Sequence, residues 1–422
     1  MSIEYLKNRF ARLGRAGALS NRTLLAVSLT VFAAYTGIGM VGTVRVLYTE
    51  SRGASLALIS LMGSIYLVST FAFQYPIGWL GDRWERKQIM VISLLAQAIL
   101  TGLYLFVTDP ITFVVLRFFE GIAAAGILPS ARTMITEAVP MEQQGAAFGV
   151  FGAFFNIGFL LGPGIGGILA ATGYTSTFIV AIIFRLVAVV LILTMIRTMK
   201  QSGGRSFEKP AISIPFKMLF TPALMGAYLV AFGNFLYMGF EITLFPLWMH
   251  DHLGASVAVI GFAFMAWSVP NALLSPIGGR MADRWRRSWL ILIFGLAQVP
   301  IYLAYGSANM AMIVVALYGV HGAVYAFIQP ALDAHVAASS GSNFRARIQG
   351  LYATAGSIGA FIGASGSAPL YAINFRLPLF IMGVLCVVYI VVGARLIRMS
   401  ERRQRVLVEG EEQPAAQIEI PS

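Results

Sequence analysis

Long apolar runs, separated by short polar or basic stretches, fill most of this chain. Twelve of them are long enough to cross roughly 30 Å of hydrocarbon at about 1.5 Å per helical residue. In the first half they lie at 24–47, 56–79, 89–107, 111–131, 145–171 and 175–196. In the second they lie at 219–249, 257–278, 289–307, 310–336, 348–371 and 377–398. This pattern predicts an all-α membrane protein of twelve transmembrane helices in two six-helix bundles. The expected organisation is a basic N-terminal arm at 1–22, a bundle at 23–197, a polar linker at 198–218, a second bundle at 219–400 and a disordered tail at 401–422.

The two sets of six are copies. Gly78 and Asp82 recur as Gly279 and Asp283, each 201 positions on. The same offset relates Pro129 to Pro330, and Gly158 and Gly162 to Gly359 and Gly363. Arg52-Gly53-Ala54-Ser55 is answered by Leu253-Gly254-Ala255-Ser256. Tandem copies of one hydrophobic unit predict two pseudo-symmetric bundles with a substrate site between them.

Composition sharpens this picture. The chain is 58% hydrophobic and 11% charged, whereas soluble domains carry about 25% charged residues. Its net charge is +12. Of its 30 Lys and Arg, 25 fall on one side of the span map. Short basic loops mark the cytoplasmic face, so both termini are expected inside a plasma (inner) membrane. Anionic lipid accounts for the excess charge, and nucleic acid is not expected as a partner. The single cysteine, Cys386, permits no internal disulfide and no cysteine-based metal cluster. His250-Asp251-His252 reads as a solvated loop, and no metal is expected. No P-loop, nucleophile elbow or HExxH is present, so neither an enzyme nor an ATP-driven pump is expected.

The fifth span is glycine-rich: Gly149, Gly158, Gly162, Pro163, Gly166 and Gly167. Small residues let helices approach closely in lipid, and Gly-Pro weakens the helix ladder locally.

Three motifs carry a resemblance. Gly78-Trp79-Leu80-Gly81-Asp82-Arg83-Trp84-Glu85-Arg86-Lys87 resembles the loop-2/3 signature of the major facilitator superfamily, with Glu85 in place of a glycine. Leu116-Arg117-Phe118-Phe119-Glu120-Gly121 resembles its fourth-helix motif, and the fifth-span pattern resembles the motif of its proton-coupled exporters, above all the twelve-helix drug/proton antiporters. The resemblance implies a monomeric carrier, with the proton gradient as energy source and no cofactor. It also implies that Gly78, Asp82, Arg83 and Arg86, with Asp283 as a weaker counterpart, form a conformational lock between the halves.

Ionisable groups inside spans cost at least ~2.5 kcal/mol each near the bilayer centre and so mark function. In the family arrangement the first, fourth, seventh and tenth spans line the cavity. Here these carry Arg45, Arg117 with Glu120, Glu241 and His321. Glu120 and His321 are mates at the 201 offset and could share a proton or a cationic ligand; alternatively Glu120 pairs with Arg117 one turn away. Glu241, with no local cation, is the first choice for a proton carrier or a hook for a cationic substrate. Asn234, Tyr237, Tyr35, Tyr318 and Gln329 are candidate lining residues. Arg185 has no evident partner.

The leading expectation is proton-coupled export of small amphipathic or cationic compounds (multidrug-type efflux) by alternating access. The alternatives are carriage of organic anions, polar metabolites or lipid on the same fold, or a non-transporting membrane sensor.

Overall fold

The computed structural model describes residues 21–140, 143–196, 216–339 and 345–411. The N-terminal arm, most of the linker and the end of the tail lie outside the described residues. Fifteen helices follow in chain order: α1 Arg22–Ser51, α2 Leu56–Arg83, α3 Arg86–Leu103, α4 Pro110–Ala125, α5 Ile127–Ala138, α6 Gln144–Ala170 and α7 Tyr174–Met195 form the first half. After the single turn α8 Phe216–Leu219 come α9 Pro222–Thr243, α10 Phe245–Leu253, α11 Val257–Arg284, α12 Arg287–Ser307, α13 Ala311–Ser339, α14 Arg345–Ile373 and α15 Leu377–Glu411.

Each predicted span is helical. Ten helices are long and apolar enough to cross a membrane, counting α4 and α5 as one. Among the described residues α3 and α14 fall short by the same measure, whereas their counterparts at the 201 offset, α12 and α6, do not. The last helix runs on to Glu411, past the expected end of the bundle at 400. Residues 401–411 are rich in Glu and Arg, good helix formers that extend the helix beyond its apolar part.

Two spans are interrupted, for a reason visible in the sequence. Pro129 and Pro246 have no N–H to offer the carbonyls of Ala125 and Ile242, and their rings crowd those carbonyls. The helices break at Gly126, between α4 and α5, and at Leu244, between α9 and α10. Pro330 sits inside α13 without a break.

The repeat holds in detail. Ser55 caps α2 by accepting from the Leu58 N–H, and Ser256 caps α11 by accepting from the Val259 N–H, both at 3.4 Å. Each cap follows a glycine with positive φ, Gly53 at 88° and Gly254 at 62°, where a side chain would be strained. Within the first half α1 packs on α6 and α7, and α2 packs on α4; in the second, α9 packs on α14 and α15, and α11 packs on α13. Across the halves α6 meets α11 and α2 meets α14. The outer faces are apolar and exposed, as at Ile99, Val190 and Val384, which suits lipid rather than water.

Glycine sets the close approaches. A Cβ at Gly158, Gly162 or Gly166 of α6 would collide with the backbone of α1 at Phe32, Thr36 and Met40. At Gly167 it would collide with the backbone of α11 at Val257. One helix is thus pressed between its own bundle and the other. Gly359 and Gly363 of α14 repeat the arrangement against Phe232 and Leu236 of α9. The cross-half contacts at Gly63, Gly167 and Gly261 lie at the ends of the helices away from the basic turns. At the basic ends of the same four helices Gly78, Gly149, Gly279 and Gly350 face open space.

Candidate functional site

Between the halves lies a cavity of about 300 Å³. Its walls come from α1, α2, α3, α4, α6 and α7 of the first half and α9, α10 and α11 of the second. Most of the wall is apolar, for example Val46, Met62, Phe159, Ile242 and Phe264. The polar part is concentrated on the first half, where Arg45, Arg117, Arg185 and Gln97 reach the surface of the cavity.

Glu120 organises that polar part. It is 1% exposed. Its Oε1 lies 3.3 Å from Arg45 Nη2, and its Oε2 lies 3.0 Å from Arg117 Nη1. The Tyr104 hydroxyl donates to Oε2 at 3.3 Å, and Gln97 Nε2 donates to the Glu120 backbone carbonyl at 2.7 Å. The guanidinium of Arg117 also lies over the Tyr66 ring at 4.0 Å, a cation–π contact. The pairing with Arg117 one turn away is therefore present, and Arg45 joins it from α1.

Arg185 is the exception. It is 1% exposed and runs beside Gly37 of α1. Its Nη1 donates to the Ala181 carbonyl at 3.1 Å, while Nε and Nη2 have no hydrogen-bond partner; Arg45 Nε also has none. Three guanidiniums surround one carboxylate, which leaves two positive charges in excess. An unmatched cation near the bilayer centre costs about 2.5–3.5 kcal/mol on insertion scales.

The second half repeats the frame with His321 in the place of Glu120. His321, 2% exposed, has its Nδ1 3.3 Å from the Tyr305 hydroxyl and its Nε2 3.1 Å from Gln298 Oε1. Tyr305 and Gln298 are the 201-offset mates of Tyr104 and Gln97. The rings of Tyr237, Tyr302 and Tyr318 close around the imidazole. Glu241, half-buried, accepts from the Tyr318 hydroxyl at 2.9 Å, and Tyr318 in turn accepts from Tyr237 at 3.2 Å. No salt bridge to Glu241 is present among the described residues.

Glu120 and His321 thus occupy equivalent positions but have separate partners, each within its own half. Of the candidate lining residues, Tyr35 faces the cavity. Tyr237 and Tyr318 belong to the second-half network. Asn234 accepts from the Tyr389 hydroxyl at 3.2 Å, and Gln329 donates to Asp333 and Tyr352. At the α2–α3 turn Arg83 stacks on Trp79 at 3.9 Å, and Arg86 lies over Gly81; Asp283 is exposed. Both arginines thus lie against their own half. His250 Nδ1 meets the Ala255 carbonyl at 3.0 Å, and His252 stacks on Phe375. No group of three or more His, Cys, Asp or Glu could hold a metal among the described residues.

Sequence reasoning missed Gln97, Tyr104, Gln298 and Tyr305, although the 201 offset already paired them. It also left Arg185 without a site.

Two repeated bundles, a cavity between them and buried charge on its wall define a polytopic membrane carrier. A family model described as Major Facilitator Superfamily matches residues 27–247 and again 227–420. The chain belongs to that superfamily, whose members are carriers rather than enzymes. It is 24% identical over 349 residues to an uncharacterised MFS-type transporter of Methanocaldococcus jannaschii, covering 81% of this chain and 89% of that one. It is 23% identical over 372 residues to the quinolone resistance protein NorA of Staphylococcus aureus, covering 85% and 92%. Among solved structures, a bacterial homologue of the human lysosomal transporter Spinster, inward-facing and occupied, superposes with a TM-score of 0.72 at 18% identity, over 90% of this chain and 96% of that one.

Proposed function

We propose that this chain is a proton-coupled exporter of small amphipathic compounds, working by alternating access in the plasma membrane with its basic side and both termini in the cytoplasm. The observation that carries this reading is the cavity itself. It lies between the halves and is built from both. Its walls are apolar around one polar pole, the chemistry of an amphipathic guest. The α6 glycines, pressed against α1 on one side and α11 on the other, provide a close bearing on which the halves can rock. The similarity to a quinolone resistance protein supports export of drug-like compounds, and the fifth-span pattern supports antiport with protons.

Glu241 is the proton carrier in this reading. It is a carboxylate in a membrane helix with one tyrosine donor and, among the described residues, no cation paired with it. The gradient supplies the energy and no cofactor takes part; the chain acts as a monomer in the bilayer. The expected cationic preference is not favoured by the cavity wall, whose charged groups are three arginines, two of them paired with Glu120 behind the wall.

The test uses purified protein in liposomes with an entrapped pH-sensitive dye. A panel of amphipathic compounds is added under an imposed pH gradient. Wild type is expected to release protons on addition of a transported compound, and Glu241→Gln is expected to bind the compound without moving protons. If no compound moves protons, or if Glu241→Gln couples like wild type, the reading fails.

A further inference from the structure

We infer that the polar pole of this cavity is an anion site, formed by Arg45, Arg117 and Arg185, that takes the carboxylate or sulfonate end of an amphipathic substrate. The inference rests on the carrier reading above and specifies its substrate class.

Three observations converge. First, all three arginines line the cavity, and one carboxylate, Glu120, is shared by two of them. The pole is positive with the cavity empty, and a guest bearing one negative charge would reduce the excess. Second, Arg185 is 1% exposed, and its Nε and Nη2 donate to nothing. Buried polar groups are normally hydrogen-bonded; this edge of a planar fork, together with the free Nε of Arg45, supplies donors of the kind a carboxylate accepts. Third, the arginines are held in place. Tyr66 lies under Arg117, the Ala181 carbonyl fixes Arg185, and Glu120 fixes Arg45 and Arg117. Preorganised donors lose little entropy on binding. The apolar wall at Met62, Phe159 and Phe264 leaves room for the hydrophobic body.

The second half contains the control. The counterparts of Arg117 and Arg185 are Tyr318 and Cys386, at the 201 offset. The same frame there carries no arginine, and its one carboxylate, Glu241, would repel an anion, so the anion preference belongs to the first half alone.

The test compares three probes with one aromatic body: pyrenebutyrate, its uncharged amide, and a pyrene alkyl-trimethylammonium. Binding is read by fluorescence on the full chain in vesicles of neutral lipid, with protein-free vesicles subtracted. The carboxylate is expected to bind at least ~10-fold tighter than the amide and the cation. Arg185→Gln is expected to weaken carboxylate binding several-fold more than amide binding, and Arg185→Lys to restore part of the preference. A cation that binds as tightly as the carboxylate overturns the inference. So does an Arg185→Gln variant that loses carboxylate and amide equally, since that marks a packing role. Replacing gluconate by chloride forms a further arm. If chloride abolishes carboxylate binding in wild type but not in Arg185→Gln, the arginines hold an inorganic ion and the substrate claim falls. Binding and proton release are read separately. A head-group preference without proton flux would sink the exporter reading and leave this one standing.

Discussion

In the first half Gln97 and Tyr104 hold Glu120, which gathers Arg45 and Arg117 around it. In the second half Gln298 and Tyr305 hold His321 among tyrosine rings. The frame is the same and the filling differs. Arg117 becomes Tyr318 and Arg185 becomes Cys386, each 201 positions on. Arg45 becomes Phe245 at an offset of 200, the offset at which α1 and α9 meet their glycine partners: Gly158 faces Phe32 and Gly359 faces Phe232. Duplication therefore constrains where backbones touch more than it constrains the side chains that point inward. The first bundle gathers the buried arginines, and the second carries rings and hydroxyls with one carboxylate, Glu241.

Four sets of paired substitutions test how far this contrast extends. The largest effect is expected for Glu120→Gln. It leaves three buried guanidiniums without an anion, and breaking a buried pair from one side costs about 3–5 kcal/mol. His321→Gln, its mate, removes hydrogen bonds between neutral groups and should cost about 1 kcal/mol. Thermal unfolding of the detergent-purified variants measures both, and equal losses would erase the distinction between the halves. Tyr318→Phe should follow, because Glu241 then loses its described donor; a hydrogen bond to a charged group contributes about 1.5–3 kcal/mol. Tyr104→Phe should cost less, since Glu120 keeps two arginines. Gly162→Ala, which would place a methyl group against Thr36, should cost about 1–3 kcal/mol through overpacking, and Gly363→Ala should match it. Gly149→Ala, in open space, should cost almost nothing, and a large loss there would mean that the packed and open ends of α6 are misassigned. The smallest effects are the helix caps. Ser55→Ala and Ser256→Ala should each cost about 0.5–1 kcal/mol, and unequal values would show that the two turns differ in spite of matching geometry.

Much of this architecture is legible along the chain, because it is local or periodic. Span length follows from apolar runs, the repeat from a constant offset, and the packing face of α6 from glycines at every fourth position. The pairing of Glu120 with Arg117 is legible for the same reason, since residues one turn apart share a helix face. The rest depends on how helices are rotated against each other. Nothing local shows that Arg45 of α1 reaches Glu120 of α4, or that Arg185 of α7 reaches the cavity past Gly37. The partnership of Tyr104 with Glu120 needs α3 and α4 to face each other at one depth. The breaks at Gly126 and Leu244 lie three and two residues before their prolines, while Pro330 leaves α13 whole, so even a breaker's effect depends on what surrounds it.

If the halves alternate as proposed, the unmatched charge on the cavity wall would also make the carrier sensitive to voltage. A unit charge moved through 100 mV changes energy by about 2.3 kcal/mol. In such a cycle the water that reaches the arginines would come first from one face and then from the other, so the field would act on the excess charge as the halves rock. An empty carrier with two excess positive charges would feel this strongly, and one loaded with a monovalent anion about half as much. Turnover measured at potentials clamped by a potassium ionophore should therefore change most in the step where the empty carrier returns.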